Sequence, residues 1–162
     1  MMLKKLIGAA FCLALLGANP ASAAPATILP FEPDGMVQIV ASQKGQPFVL
    51  VVWSLDCEYC QASLKTLAAE KRKNRQLRVA TLSTDALDDE QALAMMKARL
   101  ASLAMTGNAW AFGDAPPEQL RYAIDSKWHG EKPRSYWFNA KGERVAYSGV
   151  ITPEVIAKFM SQ

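Results

Sequence analysis

Hydrophobic residues along the chain alternate between two patterns, each typical of a different secondary structure. The run FVLVVW, residues 48–53, is apolar and rich in β-branched residues without alternation, which predicts a strand buried on both faces of a sheet. After Cys60 the apolar residues recur at helical spacing, with Leu64 and Leu67 on one face. Cys57 and Cys60 therefore fall at a strand-to-helix junction.

The rest of the chain continues this alternation of strands and helices. In chain order the pattern predicts a strand, two helices, a hairpin of two strands and a final helix, at residues 77–82, 88–104, 116–124, 135–138, 144–149 and 152–160. The starting signals of the three helices are Asp88 and Asp89, then Pro116 and Pro117, then Thr152. A strand-helix-strand unit implies a parallel pair, whereas the hairpin is antiparallel. The sum predicts an α/β fold with a mixed central sheet flanked by helices on both sides.

The N-terminal segment has the features of a secretory signal peptide. Two lysines precede the apolar run at residues 6–16, and small residues follow at Ala21 and Ala23. This pattern predicts a signal peptide at residues 1–23, cleaved after Ala23, and a periplasmic location. An uncleaved anchor is the alternative, but the run is shorter than the roughly 20 residues that a membrane-spanning helix needs.

The remaining chain is expected to be a single domain with little net charge. Residues 24–35 contain three prolines and predict an extended N-terminal lead, which leaves residues 36–162 for the domain. Without the two lysines of the signal peptide, the net charge of +3 falls by two. This balance offers no global argument for binding nucleic acid or an anionic membrane. We expect a monomer that binds no nucleic acid.

The numbers of cysteines and histidines limit the chemistry that Cys57 and Cys60 can perform. Of the three cysteines, Cys12 lies in the predicted signal peptide, so the mature chain retains Cys57 and Cys60. A metal site would need further ligands, and His129 is the one histidine of the chain. A structural disulfide over so short a loop would add little stability, because loop-closure stabilisation grows with loop length. Dithiol-disulfide exchange is therefore the favoured interpretation, with no metal or cofactor expected.

The position of the cysteines predicts different roles for the two thiols. A thiolate in the first turn of a helix is stabilised by the helix dipole and free N–H groups, which lowers the thiol pKa. Cys57 is the predicted nucleophile, and Cys60 is the predicted resolving thiol that releases the substrate. Asp56 and Glu58 flank the nucleophile with negative charges that favour the protonated thiol, and this favours a reducing protein. The alternative is that both carboxylates point into water and are screened.

Several segments together resemble a known family. The strand ending in Trp53, the CEYC motif, the segment WHGEKPRSYWF and the hairpin FNAKGERVAYSG resemble the exported thiol-disulfide oxidoreductases of the TlpA and cytochrome-c-maturation type, which have a thioredoxin fold. The resemblance runs from about Gly35 to the C-terminus. It implies a central four-stranded sheet with flanking helices, and a helical insertion at residues 88–124, before the strand that follows Pro133.

The resemblance also implies roles for residues around the cysteines. Pro133 occupies the position of the family's cis-proline, which would place the Lys132 backbone where an extended substrate peptide can pair with it. From its position between the cysteines, Tyr59 is expected to contact the substrate or to cover the disulfide. Trp53 is expected to pack under the active-site helix, with substrate contact as the alternative. Relatives often carry an acid or amide in the strand before the tryptophan. FVLVVW contains neither, so the usual buried proton acceptor is missing.

The predicted function is a periplasmic protein disulfide oxidoreductase that leans toward reduction or exchange of disulfides in exported proteins. Such a reductant must be recharged, and the resemblance implies a membrane thiol donor of the DsbD or CcdA kind. Two alternatives stay open. One is a dithiol oxidase that introduces disulfides, and the other is a non-catalytic thioredoxin-fold binding module or metallochaperone.

Overall fold

The computed structural model describes residues 25–161, and the predicted signal peptide at residues 1–23 lies outside this range. The strands of the described residues are β1 Ile28–Phe31, β2 Phe48–Trp53, β3 Val79–Ala86, β4 Ala109–Phe112, β5 Arg134–Phe138 and β6 Arg144–Ser148. The helices are α1 Gly35–Ser42, α2 Glu58–Lys73, α3 Glu90–Ser102, α4 Pro117–Ile124 and α5 Pro153–Met160. None of the described helices has the length and apolar character needed to cross a bilayer.

The six strands form one mixed sheet in the order β1-β4-β3-β2-β5-β6. β1, β4, β3 and β2 pair in parallel, while β5 is antiparallel to both β2 and β6. The parallel β2–β3 pair and the antiparallel β5–β6 hairpin confirm the pairing predicted from the sequence. β2 lies between β3 and β5, in the interior of the sheet.

Helices cover both faces of this sheet. On one face α2, α3 and α5 pack against a set of strand residues that includes Val51 and Trp53. On the other face α1 and α4 pack against the alternate residues, among them Leu50 and Val52. Every residue of β2 is buried, which explains why its sequence is apolar throughout instead of alternating.

Three elements were not predicted from the hydrophobic pattern: β1, α1 and β4. β1 lies in the predicted extended lead and pairs with β4, which lies within the insertion at residues 88–124. The insertion thus has two helices, as expected, and one additional strand. Four-residue strands are too short to show a period, and partners distant in sequence define them. β1 and β4 extend the four central strands to six.

Predicted capping residues begin two of the helices. The Asp89 side chain accepts a hydrogen bond from the Ala92 N–H at 2.9 Å at the start of α3. The Thr152 hydroxyl accepts one from the Val155 N–H at 3.4 Å at the start of α5. Each cap satisfies a backbone donor that has no partner within its helix.

Candidate active site

The two cysteines lie where β2 passes into α2. β2 ends at Trp53, and α2 begins at Glu58 with Cys57 as its N-cap residue. Cys57 and Cys60 form a disulfide, and the Cys57 sulfur accepts a hydrogen bond from the Cys60 N–H at 3.2 Å. In the reduced protein, the same first-turn N–H groups are available to stabilise a thiolate at Cys57.

The two sulfur-bearing side chains differ in exposure. Cys60 is fully buried in the core with Trp53 and Leu64, whereas Cys57 is partly exposed at the border of this core. An incoming disulfide can therefore reach Cys57 and not Cys60. This asymmetry suits attack by Cys57 and resolution by Cys60, and these roles stay a prediction.

The two aromatic residues of the motif region lie in opposite environments. Tyr59 is 66% exposed between the cysteines, where a partner protein can touch it. Trp53 is fully buried and packs in the core beside Cys60 and Leu64 of α2. Trp53 is thus a core residue of the site, and Tyr59 is available for substrate contact.

The loop before β5 lies at the end of β2 that leads to the cysteines. Its Lys132–Pro133 peptide bond is cis, and Pro133 is buried. The next residue, Arg134, pairs with Val52 in the antiparallel β2–β5 register. Continuing this register by one residue brings Pro133 level with Trp53, at the end of β2 that leads to the cysteines.

Hydrogen bonds and ion pairs hold this loop in place. The Arg134 guanidinium lies 3.1 Å from the Asp125 carboxylate and 3.2 Å from that of Glu131, and the Trp128 ring N–H donates to the Glu131 carbonyl at 2.8 Å. Burial raises the pKa of Asp125, but hydrogen bonds from the Lys127 N–H and from Arg134 outweigh burial and leave this pKa lowered. Asp125 therefore stays ionised as the partner of Arg134.

The Lys132 side chain reaches the loop that carries the cysteines. Its Nζ donates to Ser54 Oγ at 2.6 Å and to Thr84 Oγ1 at 3.1 Å, and lies 4.0 Å from Asp56 Oδ1. A hydrogen bond from Ser54 and, second, the charge of Lys132 lower the pKa of Asp56. Asp56 is thus not the isolated negative charge expected from the sequence, because Lys132 offsets part of its charge.

Three polar residues of this site were not predicted from the sequence: Ser54, Thr84 and Asp85. The Asp85 carboxylate accepts hydrogen bonds from the Leu55 N–H at 2.9 Å and from the Ser83 hydroxyl at 2.6 Å. It supplies the cysteine loop with a carboxylate that β2 lacks. Because neighbouring parallel strands place their carboxyl ends at one edge, the letters STD after the second predicted strand were the available signal.

This arrangement of fold and site defines the class of thioredoxin-like proteins. A sequence profile of the Thioredoxin-like domain matches residues 35–162, and the chain belongs to this family. No curated protein sequence matches the chain.

Solved structures with the same fold include a disulfide oxidoreductase, a thiol:disulfide interchange protein and a DsbF homologue. A secreted disulfide oxidoreductase of Mycobacterium tuberculosis, homologous to Escherichia coli DsbE, is 18% identical with a TM-score of 0.56, over 75% of this chain and 84% of its own. A thiol:disulfide interchange protein of Chlorobium tepidum is 13% identical with a TM-score of 0.57, over 90% and 97%. A DsbF homologue of Corynebacterium diphtheriae is 14% identical with a TM-score of 0.58, over 75% and 74%. These similarities confirm the predicted thioredoxin fold.

Proposed function

We propose that the protein is an exported thiol-disulfide oxidoreductase that reduces or exchanges disulfides in other exported proteins. The observation that carries this proposal is the asymmetry of the cysteine pair, with Cys57 partly exposed at a helix N-cap and Cys60 buried in the core. A purely structural disulfide has no need of an accessible sulfur. A disulfide between residues only three positions apart would also contribute little to stability, because it closes a very short loop.

The proposed reaction consists of two exchange steps. The Cys57 thiolate attacks a substrate disulfide, so that a mixed disulfide forms and one substrate sulfur leaves as a thiolate that takes a proton from solvent. Cys60, once deprotonated, attacks the Cys57 sulfur, closes the Cys57–Cys60 disulfide and releases the second substrate thiol. Two electrons pass from the protein dithiol to the substrate. The disulfide in the structure corresponds to the oxidised product of this cycle.

The proposed direction is reduction. Negative charge next to Cys57 disfavours its thiolate, and a strong dithiol oxidant is one whose reduced form is stabilised. Glu58 is exposed in the first turn of α2 and supports this direction, while the contribution of Asp56 is reduced by Lys132. A reductant in an oxidising compartment must be recharged, for which we propose a membrane thiol donor of the DsbD or CcdA kind.

The proposed location is the periplasm. It rests on the predicted signal peptide, and the secreted M. tuberculosis protein of similar fold supports it. Mass spectrometry of the protein isolated from a periplasmic fraction should find Ala24 at the N-terminus. A chain that keeps residues 1–23 would contradict cleavage.

Activity is tested by the reduction of insulin with dithiothreitol as the electron source. We expect the wild-type protein to accelerate insulin precipitation and Cys57→Ser to reduce the rate to the uncatalysed background, because the variant has no accessible thiol. Ser126→Ala, at an exposed loop position, is the control and should retain the wild-type rate. Unchanged turnover in Cys57→Ser would contradict the proposed function.

Direction is tested by the reduction potential of the cysteine pair, measured by equilibration with glutathione. We expect a value well below about −120 mV, which is typical of the strongest periplasmic oxidants. A potential near that value would favour the dithiol oxidase instead.

A metallochaperone would retain metal stoichiometrically and lose it in Cys57→Ser. Within residues 25–161, no cluster of three or more His, Cys, Asp or Glu side chains is arranged to hold a metal ion.

A further inference from the structure

We propose that Lys132 is a positioning residue whose side-chain ammonium sets the reactivity of Cys57 by offsetting the charge of Asp56. The inference rests on the proposed function, since it concerns the same cysteine pair. It differs from the role expected from the sequence, which used only the Lys132 backbone. Three observations carry it: how the ammonium is held, how it connects to Cys57, and which charges surround that residue.

The Lys132 ammonium is held by hydroxyl groups from two separate segments of the chain. One of its donors points to Ser54, directly after β2, and another to Thr84 in β3, at 2.6 and 3.1 Å. The Lys132 side chain is 24% exposed, whereas that of Asp56 is 87% exposed. An ammonium carries three donors, and the two hydroxyl contacts leave one for the carboxylate or for water. Lys132 is therefore the fixed member of the pair.

Ser54 connects this ammonium to the reactive cysteine. Its hydroxyl accepts from Lys132 and donates to Asp56, so both of its hydrogen bonds involve a charged group. Its backbone carbonyl accepts from the Cys57 N–H at 3.4 Å and from the Gln61 side chain at 3.2 Å. The residue that positions the Lys132 charge thus also positions the backbone of Cys57.

Charges around Cys57 are mostly negative. Asp56 and Glu58 are its chain neighbours, and Asp85 binds the backbone of Leu55 in the same loop. Of these three carboxylates, Asp56 is the one that takes part in an ion pair formed within residues 25–161. Its partner is Lys132. The Ser54 hydrogen bond and the Lys132 charge keep the pKa of Asp56 low, so Asp56 is ionised at neutral pH. Lys132 then supplies positive charge beside Asp56 and so favours a Cys57 thiolate.

The test is the alkylation rate of Cys57 in the fully reduced protein, with iodoacetamide over a range of pH. Lys132→Met keeps a long side chain and removes the charge. We expect it to slow alkylation at pH 7 by about threefold, the order of magnitude that one partly screened surface charge contributes. The equilibrium with glutathione should shift by a similar factor toward the disulfide form. Lys127→Met, at an exposed lysine of the same loop before β5, is the matched control and should leave both quantities unchanged.

A second variant separates a charge effect from a loss of loop structure. Asp56→Asn removes the opposing carboxylate and should accelerate alkylation, and the double variant Lys132→Met/Asp56→Asn should return close to the wild-type rate. A loosened loop would not be repaired by Asp56→Asn. The proposal is overturned if Lys132→Met alkylates at the wild-type rate, if Lys127→Met has the same effect, or if the double variant stays as slow as Lys132→Met.

Separate experimental controls distinguish an effect on folding from an effect on function. Circular dichroism establishes whether Lys132→Met is folded, and if it is not, the decision rests on Asp56→Asn, whose alkylation must then exceed the wild-type rate. An unchanged or slower rate in that variant overturns the proposal. Alkylation needs no protein substrate, so its result is independent of insulin turnover. Failure of the proposed function and failure of the Lys132 inference are therefore distinguishable.

Discussion

Cys60→Ser is expected to turn the protein into a covalent trap for its substrates. The accessible Cys57 can still attack a substrate disulfide, but no thiol remains to resolve the mixed disulfide. Expression of the variant in the native host should yield adducts on non-reducing gels that disappear with dithiothreitol. We expect these adducts to be abundant, while wild-type protein shows few of them.

The controls for trapping follow from the burial of Cys60. The double variant Cys57→Ser/Cys60→Ser has no attacking thiol and should trap nothing. Because Cys60 is fully buried, the serine hydroxyl can be left without a partner and destabilise the core, so Cys60→Ala serves as a second trapping variant. Adducts that persist in the double variant, or their absence from both Cys60 variants, would contradict Cys57 as the nucleophile.

Mass spectrometry of the trapped adducts identifies the partner. The identity of the captured proteins then shows which exported disulfides the protein acts on. The proposed membrane thiol donor should be captured in its oxidised form, because the Cys57 thiolate would attack a disulfide of that donor as it attacks a substrate disulfide. The composition of the adducts therefore tests the proposed partners directly.

Trp53→Ala is expected to destabilise the protein strongly. Trp53 is fully buried at the end of the central strand and packs beneath α2 beside Cys60. Truncation of a buried tryptophan leaves a large cavity, so we expect a loss of about 3–5 kcal/mol in the free energy of unfolding. Urea denaturation of the oxidised protein measures this change.

Two further variants show whether Trp53 acts through packing or through substrate contact. Tyr59→Ala removes an exposed aromatic side chain and should change the free energy of unfolding by about 0.5 kcal/mol or less. Trp53→Phe keeps an aromatic ring in the core, and the Trp53 ring N–H has no hydrogen-bond partner within residues 25–161 that would be lost. We therefore expect Trp53→Phe to retain insulin turnover. A loss of turnover in a variant that is still stably folded would indicate substrate contact.

The parts of the fold that depend on local pattern were predictable. FVLVVW has the bounds of β2 as predicted, because a strand between two neighbours, with helices on both faces, must be apolar throughout. The cysteines lie at the predicted strand-to-helix junction, and Pro117 and Thr152 mark the starts of α4 and α5 as expected. Each of these signals is contained in a few consecutive residues.

The parts that depend on distant partners were not predictable from pattern. β1 and β4 are each four residues long and are defined by pairing with one another, and β4 also pairs with β3. Three separate segments of the chain supply Ser54, Thr84 and Lys132, so no spacing along the sequence indicates that these residues meet. Their side chains converge only because β2, β3 and the loop before β5 end at one edge of the sheet.

Sequence by itself determined that this protein has a mixed sheet with flanking helices, and that one pair of cysteines lies at the start of a helix after a buried strand. Hydrophobic periodicity and short motifs are local properties, and they can be recognised without knowledge of the fold. Tertiary structure decided how completely Cys60 is buried, and that Lys132 faces Asp56. Those outcomes depend on packing and charge between segments distant in the chain. Asp56 is an unopposed negative charge in the sequence and becomes half of an ion pair once the chain is folded.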